Sequence, residues 1–330
     1  MTWPLRSSAG CSAGSSPQRW RMFNISNMVA RRLRPIAAGV ASGLVAGGLS
    51  QSSARADTSS GTWSWSTGAS AAAASTASAD APKVVVVGST NVDLIAYCPK
   101  LPRPGETLMG TNFVQCFGGK GANQAVMASK LGGAVTMVAK VGNDGMGEEC
   151  KQNYRDCGVD TTYVYTAGPG VPTGVAPITV DETGENVIIV VSGANMELTT
   201  EELGQAEEAI ASADVVVCQM EVPLEVTQKA MEMARAAGVQ TVFNVAPCPV
   251  DGKLPSAIYA VTDVLCVNET ELQTLAGVKA AEGDLEGYKT AAEACVTART
   301  CFEPQFKHSA VLRAFVLPLP RVYLAEWSCS

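Results

Sequence analysis

The sequence predicts an α/β fold: a doubly wound, mostly parallel sheet flanked by helices, with a small β-sheet lid. Three observations predict it. Short apolar strand-like runs recur at 84–87, 136–141, 215–218, 241–244 and 264–267, unbroken in the first, third and fifth, stretches of helical periodicity at 121–131, 201–211 and 224–237 lie between them, and two segments, 97–115 and 174–191, fit neither pattern. A strand that is apolar at every position is buried on both faces, and strands alternating with helices make a parallel sheet covered on both sides.

The elements follow in chain order. Residues 1–56 contain no acidic residue and are rich in Ser, Ala and Arg, the composition of an organelle transit peptide, chloroplast or mitochondrial. Arg31-Arg32 before the apolar stretch 36–49, and Ala54-Arg55-Ala56 after it, read equally as a signal peptide with an A-x-A processing site, and a cytoplasmic location is the alternative. The apolar stretch is shorter than the ~20 residues that span a bilayer, so no stable membrane anchor is expected. Residues 57–82 are a Ser/Thr/Ala/Gly linker, expected to be disordered. The folded domain is expected over 83–297, with lid segments near 97–115 and 174–191. Within the second, 175–180 and 186–191 flank the polar turn Asp181-Glu182-Thr183-Gly184-Glu185, as in a hairpin. An extra sheet among strand–helix units is either a lid that excludes water from a transfer reaction or a structural flap.

Composition narrows the function. The net charge of the 330 residues is −7. Residues 1–82 hold seven Arg against Asp57 and Asp80, so the acidity belongs to the folded body. An acidic body without a basic cluster argues against nucleic acid as a partner and leaves small phosphorylated ligands open. The eleven Cys form no C-x-x-C pair and His308 is the one histidine. That pattern suits reduced thiols and argues against a zinc site or a secreted disulfide framework.

Two segments carry chemistry. The first apolar run leads into Gly88-Ser89-Thr90-Asn91-Val92-Asp93. Ligands of open α/β sheets bind at the carboxyl ends of strands. There Asn91 and Asp93 share a face of an extended chain and either grip adjacent hydroxyls or cap a turn. The second is Phe117-Gly118-Gly119-Lys120-Gly121-Ala122-Asn123-Gln124-Ala125, a glycine turn opening a helix. It is neither a Walker A loop, since Gly121 follows Lys120, nor G-x-G-x-x-G. Its glycines permit close backbone approach to a small ligand at a helix N-terminus. Lys120 is either a ligand for phosphate or hydroxyls or a solvated turn lysine.

These motifs, GSTNVD, PRPGET and FGGKGANQA, resemble the N-terminal signature of the ribokinases within the PfkB superfamily of carbohydrate kinases. The resemblance continues through Thr173-Gly174-Val175-Ala176, Gly193-Ala194-Asn195, Gln219-Met220-Glu221, Asn244-Val245-Ala246-Pro247 and Val267-Asn268-Glu269-Thr270-Glu271. It implies phosphoryl transfer from ATP to the 5-hydroxyl of D-ribose, with Mg²⁺ at the phosphates and K⁺ as a monovalent activator. It implies further that Asn91, Asp93, Gly118, Gly119, Lys120, Asn123 and Glu221 surround the sugar, that Asn268 faces the nucleotide and Glu271 the magnesium, and that a homodimer forms through the lid. Other PfkB-type sugar or nucleoside kinases share this plan. Asn268 with Glu271 three residues on is also an ordinary helix cap, and Glu221 alone reads as a loop glutamate.

One expectation of the resemblance is unmet by the sequence. The family's C-terminal D-T-x-G-A-G-D-type motif, whose last Asp takes the proton from the attacking hydroxyl, does not occur. Asp284 is the last Asp and Gly287 the last Gly. Residues 298–330 carry no family pattern and no strand–helix rhythm, as a frameshift, retained intron or alternative exon would leave them. The chain as given is therefore expected to be impaired as a kinase, or to act as a sugar-binding pseudokinase, with low stability from an uncovered sheet edge.

Overall fold

The computed structural model describes residues 80–277, together with 287–288, 290–292 and the backbone of strands 313–316 and 323–326. The expected targeting peptide and nearly all of the linker lie outside the described residues. The main sheet begins with β1 (Lys83–Val87), and the next two strands, β2 (Asn91–Tyr97) and β3 (Asn112–Gly118), leave it to form the lid. The chain returns through α1 (Lys120–Lys130), β4 (Ala134–Val141), α2 (Gly145–Asp156) and β5 (Val159–Thr166). A second excursion, β6 (Gly174–Val180) and β7 (Asn186–Ile188), completes the lid. There follow α3 (Thr200–Gln205), α4 (Glu207–Ala211), β8 (Val215–Cys218), α5 (Leu224–Ala236), β9 (Gln240–Asn244), α6 (Ser256–Ala260), β10 (Val264–Val267), α7 (Glu269–Ala276), β11 (Arg313–Val316) and β12 (Tyr323–Glu326).

The main sheet runs β12-β11-β10-β9-β8-β1-β4-β5, and every neighbouring pair is parallel except β11 with β12. The chain lays β4 and β5 on one side of β1, then comes back to lay β8, β9 and β10 on the other. That reversal leaves a crevice between the carboxyl ends of β1 and β8, the topological switch point where open α/β sheets bind ligands. The valines of β1 explain the unbroken apolar run. Val85 and Val87 join the core under α5, α6 and α7, while Val84 and Val86 join the core under α1 and α2. Burial of each such side chain is worth ~1.5–3 kcal/mol.

The lid is a separate mixed sheet, β3-β2-β6-β7. Its strands differ from the sequence expectation: β2 already begins at Asn91, and the expected segment 97–115 contributes strand only at its ends, with turns and coil between. The alternation in Asn91-Val92-Asp93-Leu94 is the physical reason. Val92 and Leu94 pack onto the α1/α2 core, so the polar partners on the same strand face the other way. Two further departures concern helices and the end of the chain. The expected helix 201–211 is divided at Ala206, which caps α3 and leads into α4. Residues after 297, expected to carry no strand–helix rhythm and to leave a sheet edge uncovered, add β11 beside β10 and antiparallel β12 beside that.

Candidate active site

The sugar-side residues named above are brought to the switch point by three elements. After β1 the chain turns through Ser89 and Thr90, and the turn is locked from β6's side of the lid. Asn195 Oδ1 accepts from Thr90 N (2.8 Å), while Asn195 Nδ2 donates to Thr90 O (3.1 Å), Ser192 O (2.8 Å) and Asn91 Oδ1 (2.8 Å). Thr90 Oγ1 also meets the buried Tyr154 hydroxyl at 2.6 Å. The Asn91 side chain is thus fixed at its oxygen. A Cβ at Gly174 would overlap that oxygen, so this close approach requires glycine there.

Asp93 lies two residues on, on the same face of β2, with Gly118 on β3 paired to Asn91 and Cys116 paired to Asp93. Gly118 makes room for it: a Cβ there would overlap both carboxylate oxygens of Asp93. Among the described residues no hydrogen-bond donor reaches the Asp93 carboxylate. Partial burial pushes its pKa above the ordinary carboxylate value, the negative charge of Glu221 adds to the rise, and the Lys120 ammonium opposes it.

Gly119 caps α1 with φ 93°, a conformation glycine adopts without strain. The helix N-terminus then meets Glu221, three residues past the end of β8. Glu221 Oε2 accepts from Lys120 N (2.9 Å) and Ser89 Oγ (2.5 Å), Oε1 accepts from Lys120 Nζ (3.0 Å), and Ser89 Oγ in turn accepts from Gly121 N (3.2 Å). A carboxylate that takes main-chain amides of a first helical turn is favoured by both the hydrogen bonds and the helix dipole. Glu221 is 12% exposed and Lys120 40%, so the ammonium is the part of this pair that faces outward. Asn123, one turn along, is exposed, and its main-chain amide bonds Gly119 O.

Asn268 and Glu271 lie apart from this group, at the carboxyl end of β10, and they satisfy each other. Asn268 Oδ1 accepts from Glu271 N and Glu271 Oε2 accepts from Asn268 N, both at 2.8 Å, closing a capping box on α7. Mg²⁺ takes several oxygen ligands. Among the described residues no group of three or more His, Cys, Asp or Glu is placed to hold a metal. Glu271 has one carboxylate oxygen left, which fits an outer ligand beside phosphates and does not make a metal site by itself. Also among the described residues, no helix is long and apolar enough to cross a membrane.

Residues 81–300 match the pfkB family of carbohydrate kinases. The chain belongs to that family. Within it, the chain is 41% identical over 197 residues to the ribokinase of Mus musculus, covering 60% of each protein. It is 38% identical over 195 residues to a deoxyribokinase of Salmonella typhi, covering 59% of this chain and 63% of the relative. The chain therefore spans about 60% of the length of the curated relatives it matches. Among solved structures, the Arabidopsis thaliana ribokinase complexed with ribose and ATP superimposes with a TM-score of 0.61 at 27% identity, over 75% of this chain and 78% of that one. The pfkB-family fold and the mostly parallel sheet with its small second sheet agree with the sequence expectation.

Three residues that hold this arrangement together are not singled out as site residues by the sequence. Ser89 stands inside the GSTNVD motif but offers no periodic or charge signal. Asn195 acts from over a hundred residues away in sequence. Asp144 caps α2 through Gly147 N and also accepts from Thr173 N and Thr173 Oγ1, which anchors the base of lid strand β6. An Asp before a helix is a cap signal, but the bonds from Asp144 to Thr173, 29 residues on, leave no local trace.

Proposed function

We propose that this chain binds D-ribose at the switch point and derives from an ATP-dependent kinase that phosphorylates the ribose 5-hydroxyl. The observation that carries the reading is the Asp93 carboxylate. It is partly buried, has no protein donor among the described residues and stands beside the Lys120–Glu221 pair, an arrangement that vicinal hydroxyls would complete by donating to it. Asn91 contributes its amide nitrogen, the Gly118–Gly119 backbone gives close approach, Lys120 stands beside Asp93, and Asn123, exposed one turn along α1, is read as a further ligand. Glu221 works mainly through Lys120 and Ser89, holding the α1 N-terminus.

In the transfer, the 5-oxygen bonds to the γ-phosphorus, the bond from that phosphorus to the β–γ bridging oxygen breaks, ADP leaves, and a base takes the hydroxyl proton. Mg²⁺ would neutralise phosphate charge, with Asn268 and Glu271 on that side; the site of the K⁺ expected of the family is read as part of the C-terminal segment whose D-T-x-G-A-G-D-type motif does not occur in this sequence. Residues 285–330 contain no Asp, which favours a second reading, a sugar-binding protein that does not transfer phosphate. We further propose homodimerisation through the lid, supported by Val187 to Val191, which are each 46–62% exposed, and an organelle as the location.

Calorimetric titration of the full chain with ribose and with 2-deoxyribose, beside a coupled ADP-release assay with ATP, Mg²⁺ and K⁺, tests the reading. Ribose binding without ADP release supports the pseudokinase. Release abolished by Asp93→Ala supports the kinase. Binding of neither sugar overturns both.

A further inference from the structure

We infer that a chain of three side-chain amides beneath the sugar site, Gln219, Gln124 and Asn244, holds helix α1 in register with strand β10. Gln124 and Gln219 are positioning residues on this view. The inference takes ribose as its ligand from the reading above, and its own basis is the geometry of the chain. Gln124 lies on α1 one turn after Lys120, Gln219 directly follows β8, and Asn244 ends β9. Together they run from the switch point across to Cys266, the last residue but one of β10.

The polarity of the chain is forced from one end. The Cys266 carbonyl only accepts, so Asn244 turns its Nδ2 toward it (3.1 Å) and its Oδ1 toward α1. Gln124 must then present Nε2 to Asn244 Oδ1 (3.3 Å) and Oε1 to Gln219, whose Nε2 donates at 2.6 Å. That leaves Gln219 Oε1 as the far end. It is buried with no partner among the described residues, in a side chain that is fully buried. A Cβ at Gly88 would overlap this oxygen, so the amide is pressed against the β1 turn. Rotating the amide would set its oxygen against Gln124 Oε1, two acceptors face to face. The orphan acceptor is therefore the cost of an oriented chain whose direction is fixed at β10, and such a cost is retained where the connection matters.

The consequence is that α1, which carries Lys120 and Asn123, is tied to β10, the strand that leads into Asn268, by a link that touches neither ligand. Three full-length proteins test it: wild type, Gln124→Met and Gln124→Glu. Their ribose affinities are measured by calorimetry from pH 8 to pH 5, and hydrogen exchange is read in peptides covering 118–130, 264–272 and, as control, 145–157. Gln124→Met is expected to bind ribose about tenfold more weakly than wild type at every pH, with faster exchange in 118–130 and 264–272 and none in the control. Gln124→Glu is expected to show the same deficit at pH 8 and to recover toward wild type at pH 5. A protonated carboxyl offers one acceptor and one donor, as the amide does, while a carboxylate offers only acceptors. A packing role alone gives no such pH dependence. Wild-type-like affinity in Gln124→Met, a deficit in Gln124→Glu that is flat with pH, or exchange that changes only in 118–130 would overturn the inference. If wild type binds no ribose, the sugar reading fails and exchange alone decides: faster exchange in both peptides keeps the amide chain, and in one or neither removes it.

Discussion

The two ends of the crevice handle polar groups in opposite ways. At β10 and α7, Asn268 and Glu271 spend their hydrogen bonds on each other. At β1, β2 and β8, Asp93 has no donor among the described residues, two carboxylates face one lysine, and burial works against the charge that remains. Capping serves the helix it closes, whereas an unsatisfied, partly buried carboxylate serves the fold poorly and is kept for something that arrives later. On the reading proposed above, the contrast sets a cap on the nucleotide side that already satisfies itself against a carboxylate that the sugar would satisfy.

Substitutions sharpen or break that contrast, beginning with the largest effect. Asp93→Asn is expected to weaken ribose binding by at least about 100-fold, since hydrogen bonds to a charged group are worth ~1.5–3 kcal/mol each. Thermal melting of the same variant at neutral pH should show no loss of stability. A carboxyl whose folded pKa is raised binds its proton more tightly in the folded state, so ionising it as pH rises costs stability, and Asn removes that cost. A destabilised Asp93→Asn would place Asp93 with the structural residues. For the wild type, ribose affinity should fall on acidification at a pH above that of an ordinary aspartate.

Next, Asp144→Ala is expected to lower stability by about 2 kcal/mol, because it strips three hydrogen bonds from the cap of α2 and the base of β6. Burial raises the Asp144 pKa, but the donors from Thr173 and Gly147 outweigh it and hold the value below the usual one. This stabilisation is present above the unfolded pKa and fades as pH falls through the lowered one. Wild type and variant should therefore converge in denaturant titrations at strongly acid pH. The smallest effect is expected from Asn268→Ala: a loss of about 1 kcal/mol from the α7 cap, with ribose affinity unchanged. A drop in ribose affinity there would erase the difference between the two ends.

The sheet was legible in the sequence because its strands are buried on both faces, and the runs at 215–218 and 264–267 match β8 and β10 to the residue. The position of the site was legible for the same reason, since strand ends and glycine turns mark it. Less legible were interactions made between distant segments. Glu221 reads locally as a loop glutamate and gains its role only when Ser89 and the α1 N-terminus arrive beside it. The strand β2 was placed late because its alternation is short and its buried face packs on helices 30 to 60 residues away. The break at Ala206 is a backbone event that helical periodicity does not encode.

The pairing of β2 with β6 has a consequence for the order in which the molecule can be made. Asn91 is in register with Gly174 and Tyr97 with Val180, so β2 waits for about 80 further residues to leave the ribosome before its parallel neighbour exists. Contacts of such sequence separation form late and at an entropic cost. Asn91 and Asp93 emerge among the first residues of the folded body, yet the strand that steadies them is completed only after α1, β4, α2 and β5. A nascent chain halted before residue 174 would carry the GSTNVD and GGKGAN motifs intact and still lack the second half of the sheet that holds them over the crevice.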